Sequence, residues 1–172
     1  MTFLVLSSSQ SSRSSWEISK LRPQRSFPPW SGLAWSVTAI GRAAQQGVLG
    51  FAEIGRGRPV AARVAFREAL ELVLASERTN SVMFAAVLSG IAYAADLRFA
   101  REGARLLGAA ERINREAGLV PAPRQRELRA RSIEPFIQSI GVEQWKLECA
   151  AGGTQALDET IALALQLADT SV

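Results

Sequence analysis

The chain has 172 residues, enough for one domain with a core or a short array of repeats, and 48% of them are hydrophobic, so most of it can fold. There is no histidine and only one cysteine, Cys149, which excludes Ser–His and Cys–His nucleophile pairs, an internal disulfide and a structural zinc site of the Cys/His kind. The formal charge of +4 is spread over arginines interleaved with Glu, the pattern of solvated helical faces rather than of a nucleic-acid surface.

Residues 1–31 stand apart. Ser7, Ser8, Ser9, Ser11, Ser12, Ser14, Ser15 and Ser19 crowd one stretch, and Pro23, Pro28 and Pro29 follow. Such a segment buries little against its own chain entropy, so a disordered or loosely attached tail is expected, with Trp16, Phe27 and Trp30 as candidate docking groups. The run Phe3-Leu4-Val5-Leu6 is too short for a signal-peptide core and has no basic region before it.

The remainder, 32–172, reads as helix throughout. A first helix is expected from about Leu33 to Ile54, with a bend at Gly41 or Gly47. Gly55-Arg56-Gly57-Arg58 makes a turn, and Pro59 suits the first position of the next helix. That helix, to about Ser76, carries Phe66, Ala69, Leu70, Val73 and Leu74 on one stripe, with Arg67 and Glu71 able to pair four apart off it. A third helix, capped by Thr79, Asn80 or Ser81 and running to about Leu97, is apolar on nearly every face and is expected at the centre of the packing. Its longest apolar run, Val82 to Leu88, is too short to span a bilayer.

The fourth helix, about Phe99 to Ala117, returns to a one-sided pattern and ends at Gly118, where a left-handed residue relieves the last carbonyls. A fifth is expected over Arg124 to Ile140, kinked or broken by Pro135, and a sixth over Val142 to Ala151, closed by the break Gly152-Gly153. A seventh covers Leu157 to Ala168, with Asp158 and Glu159 favoured in its first turn by the helix dipole. No stretch alternates long enough to predict a strand.

The first helix pair resembles the tetratricopeptide pattern. Leu49-Gly50 lies where helix A of that repeat has Leu-Gly, and Ala62-x-x-x-Phe66-x-x-Ala69 lies where helix B has its Ala-x-x-x-Phe and following Ala. Gln46 and Glu53 replace the usual Trp and Tyr. Ala104-Arg105-Leu106-Leu107-Gly108-Ala109-Ala110-Glu111, the Pro121-x-Pro123 joint, Ile140-Gly141-Val142-Glu143-Gln144-Trp145 and Leu157-Asp158-Glu159-Thr160-Ile161-Ala162-Leu163-Ala164-Leu165 resemble the C-terminal helical region of LuxR-type and adenylate-cyclase-linked regulatory ATPases. Ala156 stands where that family has a Ser or Thr cap, and Cys149 where a Trp is frequent. The family's ATPase module and a DNA-binding helix-turn-helix after residue 168 are both missing from this sequence.

The resemblance implies an all-α fold of antiparallel helical hairpins, stacked as a short right-handed solenoid or bundle. It also implies a non-catalytic interaction or sensor module of a cytoplasmic transcriptional or signalling regulator, with a protein, peptide or small effector held in a helical groove. Two alternatives stay open: an Arg-rich helical nucleic-acid-binding protein, and a detached fragment with no function of its own.

No enzyme activity is expected, because no Gly-x-x-x-x-Gly-Lys-Ser/Thr loop and no general base of the histidine kind are present. No catalytic, metal or cofactor residue is assigned, and no binding residue is fixed. Four features have structural roles as their expected reading. Cys149 reads as a small core residue, Tyr93 as core, and Trp145 as packed on the preceding helix. Arg124, Arg126, Arg129 and Arg131 read as a solvated face, since Glu127 and Glu134 sit among them and no aromatic is interleaved.

Overall fold

A computed structural model describes residues 31–76, 81–120 and 123–169. The chain divides into residues 1–32 and 33–172, and every element below lies in the second part except the first two residues of α1. The expectations for residues 1–30 of the tail, Trp16, Phe27 and Trp30 among them, and for caps at Thr79 or Asn80 fall outside the described residues, while Ser31, expected in the tail, begins α1, and Ser81, the third candidate cap, is the first residue of α3.

Among the described residues every regular element is helical: α1 Ser31–Gly55, α2 Pro59–Ala75, α3 Ser81–Ala94, α4 Ala100–Glu116, α5 Pro123–Ile140, α6 Val142–Thr154 and α7 Leu157–Ala168, with one short 3-10 turn, Leu97–Phe99, ahead of α4. The all-α expectation holds. Pro59 starts α2 as the sequence suggests. Gly57 and Gly118 take φ of +70°, each just past a helix end. At both, the next amide reaches back five residues: Arg58 N–H to the Glu53 carbonyl, and Leu119 N–H to the Asn114 carbonyl, each at 2.9 Å. That closes orphan carbonyls in the Schellman manner, which a side chain at these glycines would strain.

Phe66 is the centre of the N-terminal half. It is fully buried on α2, between Gly50 of α1 and Gly90 of α3. A Cβ on Gly50 would come within 2.6 Å of the ring, and one on Gly90 would overlap it. Two glycines on flanking helices therefore make the slot that one phenylalanine fills. Phe51 meets the ring edge-on, with centroids 5.0 Å apart at 77°.

Polar residues of α1 tie it to α2. Gln46 Nε2 donates to Glu68 at 2.8 Å, and Arg42 pairs with the same carboxylate at 3.2 Å. Glu53 is buried and pairs with Arg56 at 3.0 Å and Arg58 at 2.7 Å, which closes the turn. Gln46 and Glu53 are thus polar links, one between α1 and α2 and one within the turn that joins them. Arg63 on α2 donates to the Ala94 carbonyl at 3.1 Å, satisfying an orphan acceptor at the end of α3. Arg67 and Glu71 pair at 3.2 Å, as their spacing predicts.

α3 buries Phe84, Ala85, Val87, Leu88, Ile91 and Ala92 and packs against α2, α4 and α7, the multi-sided cover its all-apolar sequence requires. α4 in turn packs against α3, α5, α6 and α7.

Three local expectations are corrected. α1 runs unbroken through Gly41 and Gly47. α5 runs through Pro135. A proline there removes one backbone donor, and both Pro135 and Arg131, the residue four before it, are exposed, so water can take the freed carbonyl. Gly152-Gly153 is not a break: both glycines lie inside α6, which continues to Thr154. The reason is tertiary. Gly152 and Gly108 lie where α6 and α4 press backbone against backbone, so that a Cβ on Gly152 would collide with the Arg105 carbonyl and one on Gly108 with the Cys149 carbonyl.

Candidate binding surfaces

The four features weighed in the sequence are placed as follows. Trp145 is buried on α6 and faces Phe136 of α5, centroids 6.4 Å apart, so it packs on the preceding helix as expected. Tyr93 is half-buried and packed against the core; burial pushes its hydroxyl upward, and the charge of Arg129 opposes this. Cys149 is half-buried at the α4–α6 crossing. Burial raises its thiol pKa, with Arg129 opposing and Glu148 adding to the rise, so little thiolate forms at neutral pH.

The arginines of α5 do not form one basic face. At 3.6 residues per turn, positions 124 and 131 fall on one side of the helix and positions 126 and 129 on another. Arg129 is further tied to Glu111 of α4 in an ion pair. Its charge therefore serves the α4–α5 contact rather than a phosphate backbone.

Missed by sequence reasoning was the polar clamp across the α4–α6 crossing. Glu148 is buried, accepts from Arg105 Nε at 2.5 Å, and accepts from Gln144 Nε2 at 2.8 Å. Burial alone would raise this carboxyl pKa. The hydrogen bonds from Arg105 and Gln144 and the charges of Arg105 and Arg101 outweigh it, and the net shift is downward. A depressed folded-state pKa contributes stability above the unfolded value of roughly 4.3, and that stability is lost as pH falls through the folded value. Wild-type protein should therefore lose stability on acidification more steeply than Glu148→Gln, in denaturant midpoints measured from pH 7 to pH 3. Parallel pH profiles would show that the clamp contributes nothing. The signal available in sequence was a Glu one turn before a helical glycine, too common to single out.

Hollows on the described surface include a shallow depression and an apolar notch. The depression, of about 530 Å³, is lined by Arg105, Ala151, Thr154, Gln155, Ala156 and Glu159 where α4, α6 and the start of α7 meet. It is open to solvent, and its arginine is already held by Glu148. The notch, of about 90 Å³, lies between Val73, Leu74, Phe84, Leu157 and Ile161. Sites that enclose small molecules usually offer about 300–1,000 Å³ and bury most of the ligand. The notch is too small for that and the depression too open. Among the described residues no cluster of His, Cys, Asp and Glu is placed to hold a metal ion, and no helix is long and apolar enough to cross a membrane.

The remaining feature is the outer face of α1. Between Gly41 and Gly55 its only charges are Arg42, which pairs with Glu68, and Glu53, which is buried in the turn. Gly41, Gln45, Val48 and Ala52 follow one another at helical spacing on the side away from the buried Ala43, Gly47 and Gly50, with Val48 72% exposed, while Leu49, 46% exposed, lies on the flank it shares with Arg42, seven residues before it. α2 adds exposed Val60 and Val64 at the same end of the hairpin, beside the turn. Exposed single apolar residues are ordinary; a row of uncharged residues along one exposed helix side is a surface that a partner can cover. The other exposed large apolar residues, such as Leu97, Leu147 and Leu157, are scattered over separate elements. Compared with known proteins, the chain matches no family model, no curated protein and no solved structure.

Proposed function

We propose that the chain is a non-catalytic helical-repeat interaction module, a tetratricopeptide-like stack of antiparallel hairpins that forms the C-terminal part of a bacterial transcriptional or signalling regulator. The observation that carries the interaction reading is the row of uncharged residues on the exposed side of α1, where Val48 and Leu49 stand out of the packing. An interior helix of such a stack has neighbours on both sides, and the exposed Val48 and Leu49 of α1 offer a surface for one. The partner is a protein or peptide presenting a helix with an uncharged face, since an apolar strip on a helix is matched by the apolar face of another. A small effector is the poorer fit, because neither hollow encloses one. The repeat reading is supported by Phe66 held between Gly50 and Gly90, the small-large-small arrangement that lets three helices stack closely.

The regulator part of the proposal is tested on the transcript that encodes the chain. An in-frame or directly adjacent nucleotide-binding module carrying Gly-x-x-x-x-Gly-Lys-Ser/Thr is the expected finding. A transcript with no such module removes the link to a regulatory ATPase and leaves only the interaction module.

A further inference from the structure

We draw no further inference here: the strongest candidate, the uncharged outer face of α1 around Val48 and Leu49, belongs to the surface already described, and nothing in the structure shows which molecule covers it.

Discussion

Gly152→Ala is expected to lower the unfolding free energy by about 2–3 kcal/mol, while Gly153→Ala, one residue along, raises it by up to about 1 kcal/mol. Both glycines lie inside α6, where alanine is the better helix former. What separates them is the neighbour. A Cβ on Gly152 would overlap the Arg105 carbonyl, and backbone cannot rotate away as a side chain can. α4 and α6 must then part along their crossing, which also loosens the Arg105–Glu148 pair. A Cβ on Gly153 meets nothing nearer than the Gly108 carbonyl at 3.9 Å, an ordinary contact. Urea midpoints for the two variants decide the matter. Equal shifts of the same sign would mean that α4 and α6 do not cross at Gly152.

The second large effect belongs to Phe66. Its replacement by Ala empties a slot walled by Gly50 and Gly90, and those glycines have no side chains with which to refill it. Phe→Ala at such sites costs about 3–5 kcal/mol, a large share of the roughly 5–15 kcal/mol that holds a domain together. Phe51 is the internal control. It touches the same ring but is 43% exposed, so Phe51→Ala forfeits mainly one aromatic edge contact, about 0.5–1.5 kcal/mol. Thermal and denaturant unfolding should rank the two variants in that order by a wide margin. A Phe66→Ala protein as stable as Phe51→Ala would show that the three helices do not meet on this ring.

How much of this was legible in the sequence follows the range of the interactions. The α2 stripe, the Arg67–Glu71 pair, and the helix ends at Gly57 and Gly118 are local, fixed by residues within a turn or two of one another, and each is where spacing places it. Phe66 was legible because an Ala-x-x-x-Phe pattern marks a buried large residue beside a small one. Gly152 and Pro135 misled because local propensity cannot see a partner. Glycine inside a helix costs about 1 kcal/mol on its own, and only the approach of α4, far off in sequence, offsets that here. At Pro135 the adjacent Phe136 is buried and faces Trp145, which anchors α5 across the missing hydrogen bond. The Glu148 clamp joins residues 43 apart and leaves no local trace. Which side of α1 is exposed depends on where Phe66 of α2 meets it at Gly50, a contact that its own spacing does not reveal.

Site-specific photocrosslinking from position 48 tests the central claim most directly. A benzophenone side chain placed at Val48, in cells that produce the protein, samples whatever lies on the α1 strip. The same group at Lys146, an exposed position on α6 whose amine pairs with Glu143 at 2.9 Å, samples the solvated surface. The interaction-module account predicts a discrete adduct from position 48, absent from position 146, whose crosslinked peptide maps to a helix with an uncharged apolar face. The adduct should disappear when Leu49 and Ala52 are changed to Glu, with helical circular dichroism and unfolding midpoint retained. No adduct from position 48, or the same products from both positions, would contradict the account.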